Sequence, residues 1–147
     1  MLKSILGVIV GYVVMAIFSF AAFTCAYLGL GVDRVFEAGS YDVSTIWMVI
    51  MIVIAPIVGI LGGLVCAAIS KSKGACMAFA GIVLGLGLIF AVMTKMKDHP
   101  DAARSGDVPN FEAMQKARTP TWLCFLNPVL VAAGVLLGAR MKKLPVA

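Results

Sequence analysis

Charge is scarce in this chain, and histidine is almost missing. Of 147 residues, 13% are Asp, Glu, Lys or Arg, and one is His. A soluble domain usually carries about 25% charged residues. Four stretches contain no charged residue and no histidine: Ser4–Val32, Val43–Ser70, Gly74–Thr94 and Thr119–Ala139. Proton- and ion-coupled carriers usually keep a carboxylate or histidine within a span, so that chemistry is disfavoured. General acid–base catalysis needs positioned titratable groups, and these stretches offer no such pair. Phosphate-cradling glycine loops, metalloprotease motifs and nucleophile elbows are absent. One histidine cannot supply both axial ligands of a bis-histidine haem. The sequence therefore predicts no catalytic residue, no metal site and no cofactor, and a chain that is not an enzyme.

What is present is apolar and blocky: 62% of the chain is hydrophobic. The four uncharged stretches are 29, 28, 21 and 21 residues long. A helix crossing a hydrocarbon core of ~30 Å needs about 20 residues at a rise of ~1.5 Å each. Lipid cannot satisfy a bare backbone, and the blocks lack strand alternation, so helices are expected. The expected fold is all-α: one domain over 1–147, an antiparallel four-helix membrane bundle. Its spans lie near 4–32, 43–70, 74–94 and 119–139. The first block is far longer than the ~7–15 apolar residues of a secretory signal, and reads as a retained span.

Four spans place both termini on one side. That side carries Lys3, Lys71, Lys73, Arg140, Lys142 and Lys143, with no acid. The other side carries six basic residues and all seven acidic ones. The Lys/Arg count is a tie, but the termini side has its cations in a tight turn and a tail abutting its span. Positive charge favours the cytoplasm, so N-in, C-in is expected, in a bacterial inner membrane. The net basic charge is juxtamembrane and needs no nucleic acid to explain it.

Each span carries two glycines four apart: Gly7 and Gly11, Gly59 and Gly63, Gly81 and Gly85, Gly134 and Gly138. Such pairs let two backbones approach in lipid, within the chain or against another. Pro56 and Pro128 each remove a helix hydrogen bond and should bend their spans. Asn127 is the amide expected at depth. It can glue helices together or meet a ligand or ion at a broken helix.

The two long loops share a pattern. Gly31, Phe36, Glu37, Ala38 and Trp47 recur as Gly106, Phe111, Glu112, Ala113 and Trp122, at a constant offset of 75. The shared piece reads as a short amphipathic surface helix, capped in the second copy by Asp107 with Pro109 early in the first turn. Phe111 and Met114 would face the interface while Glu112, Gln115 and Lys116 face water. Phe36, Glu37, Trp47, Phe111, Glu112 and Trp122 form a candidate docking surface on the outer side.

Of the four cysteines, Cys66 and Cys76 lie toward the cytoplasmic ends of their spans and read as small hydrophobes. Cys25 and Cys124 could pair if the first span closes onto the fourth. Met93, Met96 and His99 have a spacing and softness that suit copper(I), although methionine more often fills gaps between helices. The expected partners are the lipid bilayer and other membrane subunits, or further copies of the chain. The favoured function is a non-catalytic accessory or assembly subunit. The alternative is a homo-oligomeric transporter or channel with a passage near Asn127, Pro56 and Pro128.

Overall fold

The computed structural model describes residues 1–96 and 106–142. Six helices run in order: α1 Leu2–Leu30, α2 Val32–Val35, α3 Thr45–Ser70, α4 Lys73–Met96, α5 Asn110–Lys116 and α6 Thr121–Met141. No strand is present among the described residues, only two isolated bridges. The helices α1, α3, α4 and α6 are each long and apolar enough to cross a membrane. Their ends fall within two residues of the uncharged stretches.

Local chemistry sets those ends. Gly31, at φ 76, stops α1 while its N–H still reaches the Tyr27 carbonyl. Ser44 caps α3 by accepting from the Trp47 N–H at 3.2 Å. Lys71 closes α3 in the left-handed region at φ 51, a place glycine usually takes. Ser72 then accepts from the Ala75 N–H at 3.4 Å and starts α4. A hairpin thus turns within two residues. Both α3 and α6 continue as helix through their prolines.

The bundle centres on α3, which packs most extensively against α6 and then against α1; α4 packs chiefly against α6. Small residues make these contacts close. Gly7 lies beside Cys66 and Ser70, and Gly11 beside Gly62 and Phe79. A Cβ on Gly59 would overlap the Val131 carbonyl, and one on Gly63 the Val135 carbonyl. From the other side, a Cβ on Gly134 would strike the Pro56 carbonyl, and one on Gly138 the Ile60 carbonyl. Four glycines therefore bring the backbones of α3 and α6 together. The buried cluster around them includes Val58, Cys66, Ala67, Phe79, Ala80 and Val135.

A different core sits at the end holding residues 31–44 and 106–120, called the cap end below. Tyr27, Val32, Val35, Phe36, Tyr41, Val43, Trp47, Val108 and Ala113 are buried together there. Phe23 and Trp47 stack at a tilt with centroids 5.8 Å apart, and Phe36 meets Tyr41 edge-on at 5.8 Å. Backbone bonds stitch the two loops to one another: Val43 N–H to the Arg118 carbonyl at 3.2 Å, and Arg118 N–H to the Tyr41 carbonyl at 2.8 Å.

Candidate functional site

The cap end holds most of the residues expected to dock a partner, and it separates them into two groups. Phe36 is 3% exposed and Trp47 9%. Both are core residues. Phe111 is 70% exposed and Trp122 55%. Glu37 and Glu112 are on the surface. Any docking surface here is therefore built from the second copy and Glu37, without Phe36 and Trp47.

The loop helices also differ from expectation. In the first copy, helix is confined to Val32–Val35, and Phe36 is already extended, at φ −118 and ψ 156. It bridges Val43 across a short reversal. Phe36-Glu37-Ala38 is therefore not an amphipathic helix, because pairing with Val43 and burial against Tyr41 hold the segment extended. In the second copy α5 does contain Phe111-Glu112-Ala113, but its N-cap is Pro109 and no side chain caps it. Asp107 lies too far back to do so. Ala113 is the buried residue of α5, while Phe111 and Met114 point outward.

Side-chain bonds pin α5 to α1. The Tyr27 hydroxyl donates to the Val108 carbonyl at 2.5 Å. Asn110 Nδ2 donates to Thr24 Oγ1 at 3.0 Å. On the outer face, Lys116 Nζ donates to Glu112 Oε1 at 2.7 Å and lies 5.4 Å from the Tyr41 ring centroid. The hydrogen bond to Glu112 holds the Lys116 ammonium above the ordinary lysine value.

Asn127 lies beside a cavity of about 400 Å³ with lining from α1, α3, α4 and α6, including Tyr12, Ser19, Met51, Phe90, Thr94 and Pro128. Its Oδ1 is buried and accepts no hydrogen bond. Buried polar atoms are nearly always paired, so this oxygen is exceptional. The cavity exists because α1 and α6 stay apart. Pro128 lines it, but Pro56 packs on Gly134 instead. The same separation removes the condition for a Cys25–Cys124 disulfide. Both thiols are free, Cys25 exposed and Cys124 partly buried.

The glycine pairs also divide. Those of α1, α3 and α6 stand at helix contacts, whereas a Cβ on Gly81 or Gly85 would meet nothing within 4 Å. Around them α4 exposes Met77, Ile82, Leu86, Ile89 and Phe90. Sequence spacing missed two packing glycines. Gly62 receives Met15, and Gly87 lies so close to Pro128 that a Cβ would meet the ring. Their signal was only local, since neither follows the four-residue rule. Among the described residues no group of three or more His, Cys, Asp or Glu could hold a metal. Met93 and Met96 are exposed, and His99 lies outside the described residues. No family model matches the chain, and neither a curated protein nor a solved structure matches it.

Proposed function

We propose that the chain is a multi-pass protein of a bacterial inner membrane, with both termini cytoplasmic, that acts without catalysis as an accessory or assembly subunit. Membrane placement is supported by the apolar side chains left on the outside of four long helices, such as Leu6, Ile9, Ile17, Phe20, Val53 and Leu137. Patches of that extent mark membrane or partner contact. Antiparallel hairpins are supported by contact order: Gly7 meets Ser70, and Phe23 meets Trp47. Orientation is supported by cations without acids at the end holding the termini.

One observation carries the assembly reading. Three glycine pairs sit at helix contacts within the bundle, and the fourth, Gly81 and Gly85, lies open on an exposed apolar face of α4. In lipid, such strips promote close helix association. The partner is therefore another membrane helix, packed on α4. Purification in mild detergent followed by native mass measurement tests this. Co-purification with a different membrane chain, lost in the Gly81→Leu/Gly85→Leu variant, is the expected result. A monomer in every detergent and at every concentration would refute it.

A passage or ligand contact at Asn127 is the second reading, favoured by its unpaired Oδ1 beside the cavity. Asn127→Leu tests it. If Oδ1 serves no neighbour in the resting fold, removing it raises Tm, because an unpaired buried acceptor carries a desolvation penalty. A fall in Tm would mean that the amide glues the helices after all.

A further inference from the structure

The end opposite the cap carries a second, chemically different cavity. About 560 Å³ opens between the start of α4 and the end of α6. Its rim holds Lys73, Arg140 and Lys142, all exposed. Its floor is Cys76 and Ala139, both buried. Its walls are Met77 and Leu136, which also face outward from the bundle. No carboxylate lines it, and every acidic residue of the chain lies in the segments 33–42 and 98–112. Cations therefore surround the mouth, and an apolar slot descends beneath them.

We propose that this cavity binds an anionic phospholipid, with the headgroup phosphate on Lys73, Arg140 and Lys142 and one acyl chain in the slot beside Met77 and Leu136. The shape matches an amphiphile. Three positive side chains stand at the level where the spans leave the hydrocarbon. Met77 lies one turn deeper on α4, and Leu136 one turn deeper on α6. Basic pockets between spanning helices are a recurrent way of holding acidic headgroups. Lys143 lies outside the described residues, and the other cations of this end, Lys3 and Lys71, do not line the cavity. They attract an anionic leaflet in general, whereas the cavity residues define one place on it. The inference rests on membrane placement and not on assembly through α4.

The test uses the full chain in mild detergent with dioleoyl phosphatidylglycerol, dioleoyl phosphatidylcholine or glycerol phosphate, read by native mass measurement. Each cation near an acidic headgroup is worth about a factor of five, so three give phosphatidylglycerol a preference of about a hundredfold over phosphatidylcholine. The triple variant Lys73→Gln/Arg140→Gln/Lys142→Gln should lose that preference, while Lys3→Gln/Lys71→Gln should keep it. Leu136→Trp retains every charge and fills the slot, and should weaken phosphatidylglycerol without creating a preference for phosphatidylcholine. Failure of millimolar glycerol phosphate to displace the lipid supports a lipid source. Complete displacement would overturn it in favour of a soluble phosphate. Equal retention of the two lipids, or equal losses in the two charge variants, would reduce the site to an unspecific basic surface. Either result from a protein that still requires detergent leaves its membrane placement standing.

Discussion

The two cap loops carry the same five residues at the same spacing and put them to opposite use. In the first, Phe36 and Trp47 are walled in by Tyr27, Val35, Tyr41 and Val43. In the second, Phe111 and Trp122 stand in the open, and only Ala113 of the shared residues is buried. The difference arises outside the pattern. Four residues separate the first Phe-Glu-Ala from Val43, enough for a tight reversal that folds Val43 back onto Phe36. In the second copy the chain continues as helix to Lys116, so Phe111 has nothing folding back over it. A shared motif therefore says what residues are available, and the following turn decides which of them become core.

Truncating the two tryptophans should expose this contrast most strongly. The Trp47 ring packs on Phe23 and is buried in the cap core, whereas the helix-capping bond to Ser44 comes from the backbone N–H and survives truncation. Trp47→Ala should destabilise the protein by about 3–5 kcal/mol, the usual range for losing a large buried aromatic. Trp122→Ala should stay within about 0.5 kcal/mol, as for surface substitutions. Thermal unfolding in one detergent compares them. Equal losses would mean that Trp122 is covered, and the contrast between copies would vanish.

The glycine pairs repeat the lesson inside the bundle, with a change of sign. Gly63→Ala drives a methyl into the Val135 carbonyl. Overpacking of this kind costs about 1–3 kcal/mol, and backbone cannot rotate aside as a side chain can. Gly85→Ala meets open space and should gain about 0.5–1 kcal/mol from the better helix former. Unfolding measurements on both variants, as isolated chains, check the prediction. A stable Gly63→Ala would show that α3 and α6 pack less closely than the geometry implies.

A third test addresses the bond that ties the second loop to α1. Tyr27→Phe leaves the Val108 carbonyl without its donor. An abandoned buried acceptor costs about 1–3 kcal/mol, and here a surrounding loop can relax, which favours the lower end. Hydrogen exchange should quicken in α5 and leave α3 unchanged. Uniform quickening of both would mean that the cap unfolds with the bundle as one unit.

The four long apolar helices were legible because charge-free length is a property of the chain itself. Lys3, Asp42, Lys71, Lys95, Arg118 and Arg140 bracket the helices closely, and Ser44 and Gly31 fix two ends by local chemistry. Partnership was less legible. Nothing in the spacing of Gly81 and Gly85 distinguishes them from Gly59 and Gly63, since the outcome depends on which helix lies opposite. The closest backbone approach joins α3 to α6, which are not neighbours in sequence. Asn127 was visible as a polar outlier, but its unpaired oxygen follows from the separation of α1 and α6, which no local pattern encodes. Phe36 shares its motif with the exposed Phe111 but is core, because Val43 folds back onto it, a contact that the repeat itself does not encode.

The smallest effect concerns Lys116 and Glu112, the ion pair on the exposed second copy. The Lys116 value is raised above 10.5, chiefly by its hydrogen bond to Glu112 and secondarily by that charge and by Tyr41. A group raised on folding contributes its stabilisation fully below its unfolded value and loses it as pH climbs through the folded one. Any contribution is therefore present at neutral pH and disappears only in strongly alkaline solution. Glu112→Gln should lower the Lys116 value toward 10.5, seen by NMR titration of its side chain, and the two proteins should converge in Tm only as pH rises past the raised Lys116 value. Exposed pairs are well screened by water and salt, so the difference at neutral pH should shrink further in high salt. A salt-insensitive difference would require the pair to be shielded, and shielding would place the second copy, like the first, beneath a cover: in the isolated chain a rearranged loop, in an assembly the partner itself.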